Sequence, residues 1–394
     1  MTENFIQYSC QKVAEQVKKT YQYLHAHPEL AFQEHETAIF IQNELKKMQI
    51  PFRANIGGTG ILAKIQGKSG GKVIALRADM DALPVYEATD LPYKSQNKGV
   101  MHACGHDAHI ACLLGVAEVL NSLKNEFCGT VLLIFQPAEE KSPGGASLML
   151  KDGIFSEIEP ELIIAQHVSI DYPVGTLAFL SGRIMASADE IHLKIKGKGG
   201  HGALPHKIND TVLCAAQTLV SLQQVKSRLC HPLTPMVLTF GKLHANGATN
   251  VIPDEVQLSG TFRTLDEKWR IEAKTHIQRI VCETAAAYGC TVDIDMPDGY
   301  PCVDNDEKLT EKAIEFAQEL VGTENVKPLE VRMTAEDFGF FSQQYPSCFY
   351  RFGVRGKSNP HTGELHSSTF QIDDEGLYYG VSGLAWLAVR FLEK

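Results

Sequence analysis

Two stretches of the 394-residue chain, GTVLLIF at 129–135 and ELIIAQHV at 161–168, are apolar almost without a break. A strand with one wet face alternates apolar and polar residues, so short unbroken runs belong to central strands covered on both faces. Such strands require helices above and below the sheet. Helical spacing runs through Val13, Val17, Tyr21 and Leu24, and again from about Glu34 to Met48 through Ile39, Ile41 and Leu45, with HAHPELAF as a loop between. IACLLGVAEVLNSLK is long enough for a buried helix, and GILAKIQ and KVIALRAD supply further strands. In an open sheet of alternating strands and helices the binding crevice lies beyond the carboxyl ends of the strands. Polar residues stand at those ends: Glu139 and Glu140 after the first run, His167 within the second.

Near residue 186 the pattern changes. From there the chain reads strand (EIHLKIKG), helix (DTVLCAAQTLVSLQQ), two strands (MVLTFGKL, VQLSGTFRTL), helix (DEKWRIEAKTHIQRIVCETAAAYG) and strand (TVDIDMP). This βαββαβ order is that of a ferredoxin-like insert. Around Asp298 to Cys302 the chain returns to the first domain, whose closing part carries TAEDFGFF, RFGV and ELHSSTF. The expected fold is therefore α/β with two domains. A mixed-sheet α/β catalytic domain is formed by 1–185 and 298–394, and 186–297 is the ferredoxin-like insert. No repeat or low-complexity segment interrupts it.

An apolar content of 44% is ample for two cores, and a net charge of −10 excludes nucleic acid and anionic membrane as partners, since both require a basic face. No stretch approaches the length of a membrane span, the start lacks a signal pattern, and ten cysteines without a CxxC pair fit reduced thiols, so a cytoplasmic protein is expected.

Residues 102–109 read HACGHDAH, and FQPAEE follows some thirty residues later. A lone buried cysteine or histidine is ordinarily core, but clustering changes the reading. Cys104 and His106 stand two apart in a glycine-containing turn, a spacing that aims both at one ion. Adjacent carboxylates at the end of a buried strand are costly unless a cation neutralises them. His102, His106 and His109 compete for one place, and spacing does not choose among them. Asp81 in RADMDALP is expected to orient an imidazole, Asp79 to serve a turn, and Asp107 to be a helix cap or a catalytic group with equal weight.

Taken in order, HPELAF, LRADMDALP, MHACGHDAH, FQPAEE, GKGGHGALPH, NVIPDEV, GTFRT, AEDF and LHSSTF make the chain resemble, over nearly its whole length, the N-acyl-amino-acid amidohydrolases of the aminoacylase and carboxypeptidase clan. That branch includes hippurate hydrolases and indoleacetyl-amino-acid hydrolases. The resemblance implies that Cys104, His106, Glu140, His167 and His366 hold two divalent ions, manganese or zinc with cobalt or nickel as alternatives, and that Glu139 is the catalytic base. It makes the insert a lid and dimer interface, with His201 entering the neighbouring subunit's site and Asn250 and Arg263 serving the substrate's carboxylate or carbonyl. The implied reaction is hydrolysis of an N-acyl-L-amino acid by a water shared between the ions, Glu139 acting as base and then as acid. TAEDF, where the family more often shows SEDF, and the longer, more polar GKSNPHTGE before LHSSTF bear on substrate preference. A dipeptidase or carboxypeptidase activity is the alternative among hydrolases, and a metal-binding or redox-sensing module using Cys104 is the alternative outside them.

Overall fold

The structure, a computed structural model, describes residues 2–356 and 363–393, so residues 357–362 of the GKSNPHTGE stretch lie outside the described residues. The chain opens with helices α1 (Glu3–Ala26) and α2 (His35–Lys47), then strands β1 (Phe52–Ile56), β2 (Gly60–Gln66) and β3 (Lys68–Asp79). Helix α3 (His106–Ser122), β4 (Cys128–Gln136), α4 (Gly145–Lys151), β5 (Leu162–Pro173), β6 (Leu177–Phe179) and β7 (Gly182–Met185) follow. The middle of the chain forms β8 (Asp189–Lys196), β9 (Gly200–His201), α5 (Thr211–Gln224), β10 (Met236–Ala245), β11 (Val251–Ile252), β12 (Glu255–Thr264), α6 (Glu267–Ala287) and β13 (Thr291–Asp295). It closes with β14 (Val303–Asn305), α7 (Glu307–Val321), β15 (Val326–Pro328), α8 (Gly339–Ser342), β16 (Ser347–Arg355) and α9 (Glu375–Glu393). These elements gather into two compact units, one of Met1–Ile184, Val303–Val331 and Asp337–Lys394, the other of Met185–Cys302 with Arg332–Glu336.

The first unit is built on an eight-stranded mixed sheet in the order β1-β2-β4-β3-β5-β16-β6-β15. Its centre, β4-β3-β5-β16, is parallel, while β2 runs antiparallel to β4 and β6 antiparallel to β16. The two apolar runs are β4 and β5, and Val131 to Phe135 and Ile163 to Ala165 are almost wholly excluded from water, as strands covered on both faces must be. Helix α3 packs against α1 and α9 and is buried nearly all round, which explains why its sequence shows little amphipathic spacing. It begins four residues before the apolar run, at His106, because His106, Asp107 and His109 are buried polar groups that a search for apolar periodicity passes over. Gly105 precedes it at φ +83°, a left-handed conformation, and a Cβ there would lie 2.6 Å from Val168.

The second unit has the element order β8-α5-β10-β12-α6-β13 around a four-stranded antiparallel sheet, β10-β12-β8-β13. The alternation in EIHLKIKG buries Ile191, Leu193 and Ile195 against Phe262 and Ile277. Both helices are capped: Asp210 accepts from Leu213 N at 2.9 Å and Asp266 from Trp269 N at 3.0 Å. Among the described residues no helix is long and apolar enough to cross a membrane.

Candidate metal centre

Strands β3, β4 and β5 end beside one another. Their register sets Asp79 opposite Gln136 and Arg77 opposite Ala165, so the polar residues after each apolar run converge beyond the carboxyl edge of the sheet. There the donor atoms of Cys104, His106 and His167 lie within 4.8 Å of one another, as do those of Cys104, Glu140 and His366 and those of His106, Glu139 and Glu140. Cys104 Sγ is 3.5 Å from His167 Nε2, and His366 Nε2 is 3.1 Å from Glu140 Oε1. His366 reaches the site from a left-handed backbone (φ +65°) fixed by its own N–H donating to Ala103 O at 2.8 Å.

The three competing histidines separate by their partners. His109 donates from Nδ1 to Asp79 at 2.5 Å and accepts at Nε2 from Val168 N at 3.0 Å, so both ring nitrogens are used and the ring is the neutral Nδ1–H tautomer. His102 is buried with neither nitrogen hydrogen-bonded, burial pushes its pKa down to about 4, and it joins no donor cluster among the described residues. His106 is fully buried, makes no hydrogen bond of normal geometry from either nitrogen among the described residues, and faces both carboxylates of the PAEE turn. A buried imidazole left without such bonds beside a thiol and carboxylates suits a borderline-soft divalent cation. Burial pushes the Cys104 thiol up against the opposing pull of His106, and a bound cation would ionise it.

Asp79 is not a turn residue. It is the last residue of β3, wholly buried, bonded to His109 and, at 2.6 Å, to Arg77 Nη1. Burial favours its neutral form, but His106, His109 and Arg77 outweigh that and hold its carboxyl well below the usual range. Asp81 accepts from Glu139 N at Oδ1 and from Glu140 N at Oδ2, both at 2.9 Å, and its Oδ1 stands 3.4 Å from His106 Nδ1. Asp107 is neither helix cap nor metal-facing: Gly105 takes the cap position, and Asp107 Oδ2 is 2.7 Å from His25 Nδ1.

Sequence reasoning missed two buried groups that hold this region, Arg77 and His25. Arg77 donates through Nε to Gln136 at 2.8 Å and through Nη2 to Asp337 at 3.0 Å, and Asp337 in turn accepts from Gln136 Nε2 and Ala146 N. A lone arginine in VIALRAD was the available signal. His25, on α1, sits between Asp107 and Glu87, 3.2 Å from the latter. Burial lowers its pKa, yet hydrogen bonds to the two carboxylates prevail and raise it from 6.5 to about 9. Because the folded value lies above the ordinary one, this imidazolium contributes stability in full below about pH 6.5 and loses it as pH rises through about 9. The thermal midpoint of metal-free protein should therefore fall between pH 6.5 and 9 more steeply than that of His25→Phe; parallel curves for the two proteins would contradict the assignment.

Three further residues named from the sequence lie in the second unit. His201, on β9, pairs with Val251 of β11, its exposed ring accepts at Nδ1 from Ala203 N at 3.1 Å, and Gly202 N donates to Asn250 O at 2.8 Å. His201 and Asn250 thus share one short ribbon. Arg263, half-buried on β12 opposite Val237, donates to Met333 O at 3.1 Å.

The profile of the Peptidase family M20/M25/M40 matches residues 75–389. The chain is 37% identical over 374 residues to thermostable carboxypeptidase 1 of Saccharolobus solfataricus, covering 94% of each. It is 38% identical over 372 residues to the N-acetyl-L-cysteine deacetylase of Bacillus subtilis, covering 94% of this chain and 87% of that one. A crystal structure from Bacillus subtilis, described as a dinuclear metal binding peptidase of the M20 family, superposes with a TM-score of 0.83 at 34% identity, covering 97% of this chain and 99% of that chain. The protein belongs to the M20/M25/M40 peptidase family and is a metal-dependent amidohydrolase.

Proposed function

We propose that this enzyme hydrolyses the amide bond of N-acyl-L-amino acids, releasing a carboxylate and a free amino acid, with two divalent ions held by Cys104, His106, Glu140, His167 and His366. The observation that carries this reading is the meeting of a thiol, three imidazoles and two carboxylates from four separate stretches of chain. Thiolate and imidazole favour zinc, cobalt or nickel, and the carboxylate admits manganese, so manganese or zinc is the expected pair. When bound, such ions supply a water acidified from the bulk value towards about 7 and polarise the scissile carbonyl.

Glu139 takes the proton of the attacking water and delivers it to the leaving amine, which must depart protonated. Asp81 orients that carboxylate by holding the peptide N–H groups of Glu139 and Glu140. The second unit serves as a ferredoxin-like lid and dimer interface, and its His201 donates to the carbonyl oxygen in the partner subunit's site, where the developing charge needs a donor. Asn250 and Arg263 bind the substrate's carboxylate or carbonyl. The enzyme works in the cytoplasm on small acylated substrates.

Metal-stripped protein, and protein reloaded with manganese or zinc, should be assayed on N-acetyl and N-benzoyl L- and D-amino acids beside dipeptides. The stripped protein should be at least a hundredfold slower, and the acylated L-amino acids should exceed the dipeptides at least tenfold in kcat/KM. The resemblance to a carboxypeptidase keeps a second reading in view: faster cleavage of dipeptides would establish it, and undiminished turnover by stripped protein would remove both.

A further inference from the structure

The turn that carries both glutamates is strained at its first residue. Ala138 stands at φ +49°, a left-handed conformation that a residue with a Cβ adopts only when its surroundings enforce it. Three consecutive N–H groups of this turn point at buried side-chain carboxylates. Those of Glu139 and Glu140 donate to the two oxygens of Asp81, one to each. The Ala138 N–H donates instead to Glu34 Oε1 at 2.8 Å. Glu34 is wholly buried on the opening turn of α2 and is itself fixed, accepting from Phe32 N at Oε1 and from Thr59 Oγ1 at Oε2, both at 2.9 Å. On the other side of the same residue, Ala138 O accepts from Gly145 N at 3.0 Å, and a Cβ on Gly145 would overlap Pro137 O.

We propose that Glu34 is a positioning residue: by holding the Ala138 N–H it keeps that residue left-handed and so turns Glu139 and Glu140 together towards His106. This rests on the reading of Glu139 as proton carrier and Glu140 as ligand, and it adds a residue 104 positions earlier in the chain. The two glutamates lie in a bend beyond the end of β4 at Gln136, so the direction in which the chain leaves Ala138 sets where the pair is aimed. Shape, rather than charge, is what Glu34 supplies. A glutamine can present its carbonyl oxygen to both Phe32 N and Ala138 N while its amide donates to the Thr59 hydroxyl.

The test uses full-length, metal-reloaded enzyme and four variants: E34A, E34Q, A138G and E34A/A138G. E34A should lower kcat at least tenfold with KM changed less than threefold and should weaken metal binding measured by titration. E34Q should keep at least a third of kcat. Because glycine enters the left-handed region without strain, A138G should restore most of what E34A loses. In metal-free protein, amide exchange at 138–140 should quicken in E34A and not in E34Q, a readout independent of turnover. If Glu139 proves not to be the base, exchange and metal affinity still report on Glu34. If E34A does not fold, E34D keeps the charge, shortens the reach, and should show the same suppression by A138G. Wild-type exchange in E34A, or a folded double variant no better than E34A or E34D, overturns the proposal.

Discussion

Replacing Glu139 by glutamine should leave the protein folded and its metal content unchanged while turnover falls by roughly a thousandfold, within the range assigned to a positioned acid–base group. The two side chains have nearly the same shape, and the Glu139 site is buried, so the substitution removes proton affinity without opening space. The backbone at this position is held by Asp81 through the peptide N–H, which glutamine retains. The five residues proposed as ligands are untouched. Elemental analysis beside steady-state kinetics reads both halves of the expectation: full turnover in Glu139→Gln would take the base away from this residue, and loss of metal would make it a ligand. The same variant tests the proposed exchange of His201 between subunits. Mixing it with an equally inactive His201→Ala protein should recover part of the activity through hybrid dimers, and no recovery after demonstrated subunit exchange would place the histidine within its own chain.

What the sequence discloses here follows from the range over which each signal acts. Strands β4 and β5 are legible because burial on both faces writes itself into seven or eight consecutive residues, and β8 because one wet face enforces alternation. The donor residues are legible because thiols, imidazoles and carboxylates cluster in short motifs. The choice among His102, His106 and His109 is not, since it turns on Asp79 and Val168 claiming both nitrogens of His109, two contacts made from 30 and 59 residues away. The start of α3 at His106 escapes a periodicity search for a related reason: its first turn is buried yet polar, and only tertiary partners such as His25 for Asp107 make that tolerable. Glu34 and Arg77 are harder still. Each looks like an ordinary charged residue beside a loop or strand, and each acquires its role only where the fold closes it against partners up to 260 positions away.

Arg77→Met should destabilise the first unit by about 3–5 kcal/mol, the cost typical of stranding buried carboxylates by removing their cation. Arg77 is 1% exposed, and Asp79 and Asp337 on either side of its guanidinium are 0% exposed, so water cannot take its place. Asp337 keeps Gln136 Nε2 and Ala146 N as donors, and Asp79 keeps His109, so the strands should stay ordered but on a weaker footing. Of the chain's two tryptophans, Trp386 is in the first unit and Trp269 in the second. A Trp269→Phe background therefore lets Trp386 fluorescence follow urea unfolding of the first unit alone. The cause can be separated from loss of packing: if stranded charge dominates, adding Asp337→Asn to Arg77→Met should recover part of the loss, because one of the two orphaned carboxylates is then neutral and can still accept from Ala146 N. The pH dependence follows with a definite sign. Asp79 is depressed in the folded state, with Arg77 among the groups responsible, so its contribution is present above the ordinary carboxylate pKa and vanishes as pH falls through the folded value. The gap in stability between wild type and Arg77→Met should accordingly narrow on acidification, and a gap that stays constant from neutral pH down to the acid transition would show the arginine acting through its bulk and not its charge.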